Sequence, residues 1–106
     1  MQSQPVEFLE WVEHDLTYAM DFYDSWLTNG AGRFFSRFRE TVTRIEENPG
    51  QFPKKHRFFR RAIIRRTYFG IYFAVEPDVS TVVAVLDMRN DPRVILALLK
   101  LRLPKR

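Results

Sequence analysis

Positively charged side chains are concentrated in one short stretch of this sequence. Seven lysines and arginines fall within the thirteen residues from 54 to 66, with no acidic residue among them. They are Lys54, Lys55, Arg57, Arg60, Arg61, Arg65 and Arg66. Ammonium and guanidinium groups bind phosphates and carboxylates, so this basic segment predicts a surface for an anionic partner or target. The alternative is a solvated sheet edge whose charges prevent aggregation.

Two further arginines, Arg89 and Arg93, follow the last apolar run of the predicted sheet. We expect them to approach the same region, or else to pair with the neighbouring Asp87 and Asp91. Strand alternation predicts that Arg61 and Arg65 lie on one face of the sheet and Arg60 and Arg66 on the other. Not all of these cations can then serve one site.

Two residues are candidates for acid–base catalysis, although the sequence shows no complete catalytic set. His56 lies in a basic loop that could reach a substrate, and Tyr68 is expected on the same face as Tyr72. The alternatives are a plain surface histidine and a core tyrosine with a satisfied hydroxyl group. The chain has two histidines and no cysteine, so we expect neither a metal site nor a cofactor.

Composition indicates a single domain covering residues 1–106. Hydrophobic residues make up 45% and aromatic residues 15% of the chain, which is too apolar for disorder. The absence of cysteine fits a reducing compartment, and neither a signal peptide nor a membrane-spanning run is recognised, so we expect a cytoplasmic protein.

Charge is distributed unequally between the two halves of the chain. Residues 1–53 carry nine acids and four bases, and residues 54–106 carry thirteen bases and four acids. The basic second half favours a negatively charged partner.

The elements that must position these side chains are strands and helices of clear pattern. Residues 57–88 are rich in β-branched and aromatic residues and predict three consecutive antiparallel strands, and Val6–Leu9 predict an edge strand. Apolar residues at helical spacing predict one helix from Val12 to Leu27 and a second from Ala31 to Ile45. The intervening residues 28–32 break the helices, and residues 49–56 are expected to form a loop.

The C-terminal part predicts a third helix, with Asp91 as its cap and Pro92 at its first position. Residues 94–103 are apolar nearly all round, so the helix is expected to pack either on its own chain or on a partner. The predicted fold class is therefore α+β, with a helical hairpin packed on a small, mostly antiparallel sheet and a short C-terminal helix.

Four local strings, in this order, resemble the RelE/ParE superfamily of type II toxins. They are Asp15-Leu16 with Asp21-Phe22-Tyr23; residues 44–49, RIEENP; residues 59–66, FRRAIIRR, followed by Tyr68, Ile71 and Tyr72; and residues 84–92, AVLDMRNDP. Each string alone is weak, but their order and spacing are fairly specific over residues 6–93. The resemblance implies a helical hairpin on a small sheet, as the residue patterns do.

The resemblance also implies a function. Ribonuclease members of the superfamily use a general acid or base near the C-terminus that is often Tyr or His, and residues 88–106 contain neither. The chain is therefore most similar to the ParE-like branch, whose expected action is growth arrest by binding a target, DNA gyrase, with neutralisation by a cognate antitoxin. The alternatives are a ribosome-dependent mRNA interferase of the RelE type and a non-toxic binding domain of similar fold.

The partner implied by the resemblance is a short, acidic, partly disordered antitoxin that folds on binding. We expect it to contact apolar residues of the first and third helices, namely Trp11, Tyr18, Phe22, Trp26, Leu96 and Leu99. The target would be gyrase, or the ribosome with its mRNA. A homodimer is an open alternative for these apolar faces, and no membrane partner is expected.

Overall fold

The computed structural model describes residues 2–103, which form a five-stranded sheet with helices on both faces. The elements are β1 (Val6–Phe8), α1 (Trp11–Asp24), α2 (Gly30–Glu47), β2 (Lys54–His56), β3 (Phe59–Ile63), β4 (Phe69–Val75), β5 (Ser80–Asp87) and α3 (Pro92–Arg102). A short 3₁₀ helix, Pro49–Gln51, follows α2. The strand order is β1-β5-β4-β3-β2, with β1 parallel to β5 and the other neighbours antiparallel. The predicted α+β class is confirmed.

The helices α1 and α2 form the predicted hairpin on one face of the sheet. Their buried residues, such as Ala19, Phe34 and Ile45, join Ile71 and Phe73 of β4 in one apolar cluster. The chain reverses at Asn29, which has a left-handed backbone (φ 55°), a conformation that asparagine tolerates better than most residues. The apolar stripes predicted at helical spacing thus form the core on this side.

The helix α3 packs on the opposite face. Asp91 caps it as predicted, because its carboxylate accepts a hydrogen bond from the backbone N–H of Arg93, and Pro92 is the first helical residue. Ile95 and Leu99 are buried against Tyr72 and other sheet residues. The choice left open by the sequence is therefore decided for these two residues, which pack on their own chain.

The loop predicted over residues 49–56 was wrong in its last part. Residues Lys54–His56 form the edge strand β2, which pairs with β3, and the carbonyl of Pro53 accepts a hydrogen bond from the N–H of Arg61. Prolines at 49 and 53 lack an N–H, but they precede the strand and do not weaken its ladder. The first strand of the meander also starts later than predicted, since residues 57 and 58 form the β2–β3 turn.

Candidate anion-binding surface

The structure brings Arg65 and Arg66 together with two arginines of α2. These side chains line an open groove of about 690 Å³ between α2 and the β3–β4 turn. Its lining residues are Arg33, Ser36, Arg37, Glu40, Arg65 and Arg66, and we call it the arginine groove. The Arg37 guanidinium donates a hydrogen bond to the backbone carbonyl of Arg65 over 3.2 Å, which fixes the turn against the helix.

Sequence reasoning missed Arg33 and Arg37 because it treated them only as charges opposed to the helix dipole. They lie four residues apart and therefore on one face of α2. Two like charges on the same face at the positive end of a helix are unfavourable for the isolated helix. That local disadvantage was the available signal that these arginines act outside the helix.

Two turn arginines have an unusual backbone. Arg57, in the β2–β3 turn, has φ 57°, and Arg66, in the β3–β4 turn, has φ 60°. This left-handed region suits glycine and asparagine, and it costs other residues about 1 kcal/mol. Each turn thus carries an exposed arginine at a position whose left-handed backbone conformation would suit glycine or asparagine better.

The groove arginines have no acidic partner in the part of the chain that the structure describes. Three ion pairs join an arginine to an aspartate there: Arg89 with Asp87, Arg93 with Asp91, and Arg102 with Asp15. Glu40 lines the groove but lies beyond ion-pair distance of its arginines. The groove is consequently a concentrated positive surface.

Arg89 and Arg93 take the second of their two predicted roles. The Arg89 guanidinium lies 2.6 Å from the Asp87 carboxylate and 3.9 Å from the centre of the Tyr68 ring, a cation–π geometry. Its hydrogen bonds lower the pKa of Asp87. Arg93 pairs with Asp91 at 2.8 Å. Both guanidinium groups are therefore paired with an aspartate, unlike those of the arginine groove.

The two arginines of β3 point to different sides, as alternation predicts. Arg60 donates a 2.6 Å hydrogen bond to the carbonyl of Phe52, a residue of the hairpin-side core. Arg61 lies beside Tyr72, which belongs to the α3-side core. The alternation predicted for Arg65 and Arg66 was wrong, because β3 ends at Ile63 and both arginines lie in the following turn, where they line the same groove.

Arg61, Tyr72 and His56 form a second cluster. The hydroxyl of Tyr72 and the Nε of Arg61 are buried and make no hydrogen bond within residues 2–103. Burial raises the pKa of Tyr72, and the nearby Arg61 opposes this shift. The His56 ring lies 5.9 Å from the Tyr72 ring. Burial lowers the pKa of His56, and the charges of Arg61 and Lys55 lower it further.

The two catalytic candidates lie in different clusters. His56 contacts Tyr72, whereas Tyr68 lies just before β4, with its ring 6.3 Å from Phe22 of α1 and beneath Arg89. Tyr68 and Tyr72 do not share a cluster, contrary to the prediction, because Tyr68 precedes the regular strand. Tyr68, the other acid–base candidate predicted from the sequence, therefore does not lie beside His56.

The remaining cations of the basic segment, Lys54, Lys55 and Arg57, are exposed on β2 and its turn. Because β2 is the outer strand of the sheet, these cations form a charged edge. Such an edge serves equally well against aggregation or for binding an anion.

An aromatic surface runs along α1 and into the turn that follows it. Trp11, Tyr18 and Trp26 are about half exposed or more, and Phe22 is half-buried. Leu96 of α3 is half-buried, but Leu99 is completely buried against its own sheet. Leu99 was therefore wrongly expected to contact a partner, since α3 uses it to attach to the sheet.

The structure also contains an apolar groove between β1, α1 and α2 that the sequence did not reveal. It has a volume of about 360 Å³, and its lining residues are Phe8, Leu9, Glu10, Val12, Glu13, Leu16, Phe35 and Phe38. Phe8 and Phe35 are more than one-third exposed. They come from β1 and α2, so only the fold brings them together. No helix in the described part of the chain is both long and apolar enough to cross a membrane.

Comparison with solved structures gives a clear likeness of fold. A chain from the structure described as "Chromosomal ParDE TA system from P. aeruginosa" superimposes with a TM-score of 0.68 and 16% sequence identity, over 78% of this chain and 94% of that chain. No protein-family model matches the sequence. No curated protein matches it either. At this identity the likeness concerns the fold, and it confirms the fold implied by the sequence resemblance: the chain has a ParE-like fold.

Proposed function

We propose that the chain is the toxin component of a type II toxin–antitoxin module. The observation that carries the proposal is the likeness of fold, which extends over 94% of a chain from a ParDE TA system. The four strings that resemble RelE/ParE toxins support it independently. In this proposal the toxin arrests growth by binding its target, DNA gyrase, and a cognate antitoxin neutralises it.

The surface of the chain fits such a pair of partners. The exposed aromatic residues along α1 and the apolar groove between β1, α1 and α2 each offer anchors for an amphipathic segment. The basic surfaces attract an acidic chain and speed its association. An acidic antitoxin that folds on binding would use both features.

Induction of the chain in growing bacteria tests this proposal. We expect growth arrest on induction, and recovery when a cognate antitoxin, sought as a small acidic protein encoded by a neighbouring gene, is produced as well. A Trp11→Ser, Trp26→Ser variant removes two exposed aromatic side chains. It should still arrest growth, but the antitoxin should neutralise it less well. Normal growth on induction of the folded chain without antitoxin would instead favour a non-toxic binding domain.

A second candidate function, an mRNA interferase, is favoured by the cluster around His56. The lowered pKa of His56 keeps its imidazole neutral at pH 7, as a proton acceptor requires. In that reaction a ribose 2′-oxygen attacks the adjacent phosphate, and cations such as Arg61 and Lys54 would stabilise the developing charge. Mapping of transcript ends after induction separates the two functions. New ends within translated messages, lost in His56→Gln, would establish cleavage, and intact messages during growth arrest would exclude it.

A further inference from the structure

We infer that the arginine groove binds the phosphodiester backbone of a nucleic acid. This inference goes beyond the proposed function, because it assigns a ligand to the chain itself, whichever protein the chain inhibits. It depends on where the groove arginines lie, on the absence of acidic partners for them within the described residues 2–103, and on the chemistry of the groove lining.

The arginines stand at positions that do not favour folding. Arg33 is the fourth residue of α2, where a cation opposes the helix dipole, and the first turn holds no acidic residue. Arg37 lies one turn further on the same face, so the two positive charges repel each other. Arg66 has a left-handed backbone, which arginine adopts at a cost. Costs of this kind persist where the side chain serves another purpose, and here three of them point into one groove.

Charge pairing separates these arginines from Arg89, Arg93 and Arg102. Within residues 2–103, the ion pairs of Arg89, Arg93 and Arg102 each use an aspartate of the same chain. The groove instead combines four arginines with the single carboxylate of Glu40. An excess of three positive charges then lies in one open concavity, where an anion would find several guanidinium groups at once.

The lining favours a phosphate backbone over an acidic peptide. All six residues that line the arginine groove are polar or charged. Protein partners usually need aromatic or aliphatic anchors, whereas phosphates are held by arginine, lysine and hydroxyl groups alone. Apolar residues, including Leu27 and Phe34, line an adjoining cavity, but its volume is only about 130 Å³. A peptide would therefore find little room for anchoring side chains.

Fluorescence anisotropy of the purified full chain tests the inference, with short duplex DNA and single-stranded RNA of matched length as separate probes. The variant is Arg33→Gln, Arg66→Gln, and its control is Arg39→Gln, Lys100→Gln, which removes the same charge from exposed positions outside the groove. Thermal unfolding of each protein confirms that it is folded. The logarithm of the association constant is plotted against the logarithm of salt concentration between about 50 and 200 mM.

We expect the groove variant to lose about 1.8 from the salt slope, since each phosphate contact on duplex DNA contributes about 0.9. The control should keep nearly the whole slope, and Arg33→Lys, Arg66→Lys should restore most of the loss. The tighter of the two probes identifies the kind of nucleic acid. Equal losses in the groove variant and its control would overturn the inference, as would an acidic peptide that requires Arg33 and Arg66 when neither nucleic acid binds. Growth arrest plays no part in this assay, so its failure leaves the proposed toxin function standing.

Discussion

Asp15 of α1 and Arg102 at the end of α3 form a buried ion pair across the sheet edge. The Nη1 of Arg102 lies 2.5 Å and its Nη2 2.9 Å from the carboxylate oxygens of Asp15, and the two side chains are only 11% and 9% exposed. Asp15 also accepts the backbone N–H of Val85, and Arg102 donates to the carbonyl of Val83. The pair thus supplies hydrogen-bond partners for backbone groups of β5 beyond the point where β1 ends. It also links α1 on one face of the sheet to α3 on the other.

Removal of one charge of the Asp15–Arg102 pair should therefore destabilise the folded protein strongly. We expect Arg102→Met to lower the free energy of unfolding by about 3 kcal/mol, because the Asp15 carboxylate would remain buried without its charge partner. Urea unfolding followed by tryptophan fluorescence measures the change. Arg93→Met, which breaks an exposed pair, is the control and should cost less than about 1 kcal/mol. An equally small effect at Arg102 would show that the pair contributes little.

Gly30 and Gly32, at the start of α2, should respond differently to substitution by alanine. A Cβ at Gly30 would lie 2.2 Å from the backbone oxygen of Tyr23, whereas at Gly32 the nearest atom, at 2.8 Å, belongs to the movable side chain of Asn29. Gly30→Ala should destabilise the protein by roughly 1–3 kcal/mol, since α1 and α2 must move apart. Gly32→Ala should be neutral or stabilising by up to about 1 kcal/mol, owing to helix propensity. Thermal unfolding of both variants checks the contrast, and a reversed order would contradict this packing.

The left-handed turns predict a conflict between stability and binding. Arg57→Gly and Arg66→Gly should each raise the free energy of unfolding by roughly 1 kcal/mol, because glycine adopts this backbone without strain. Arg66→Gly should also weaken nucleic-acid binding through the arginine groove. Chemical denaturation and anisotropy on the same samples measure both effects. A destabilised Arg66→Gly variant would mean that the arginine side chain itself supports the turn.

The pKa of His56 predicts a pH dependence of stability. Because its pKa is lower in the folded chain than in the unfolded chain, the unfolded state binds the proton more readily. Its contribution is present above about pH 6.5 and is lost as the pH falls through the lower folded value. Unfolding measured from about pH 8 to pH 5 should show this loss, and His56→Gln should reduce it. His14→Gln is the control, and an identical pH profile in His56→Gln would contradict the assignment.

Much of the fold could be predicted from the sequence because local patterns agree with the final packing. The stripes of α1 and α2, the aromatic and β-branched strands and the Asp91-Pro92 helix start all specify their elements locally. The strand β2 could not be predicted in this way, since three charged or polar residues carry no strand pattern and pair only because β3 is there. The burial of Leu99 likewise depends on the tertiary position of α3.

The candidate site was predicted less completely. The basic segment identified Arg65 and Arg66, but their neighbours Arg33 and Arg37 come from an earlier helix and meet them only after folding. Strand alternation correctly placed Arg60 and Arg61 on different sides, but it could not show that Arg65 and Arg66 leave the strand and line one groove. Charge density along a chain thus indicates the kind of partner, while the groove itself requires tertiary structure.

The most direct test of the proposed function is a gyrase assay with the purified chain. Gyrase, supercoiled DNA and ATP are incubated with increasing amounts of the protein, and cleaved DNA is measured after denaturation of the enzyme. The account predicts that linear DNA accumulates with the concentration of the chain and that the cognate antitoxin suppresses it. Unchanged supercoiling and no trapped cleavage, at concentrations of folded protein that arrest growth, would contradict gyrase as the target.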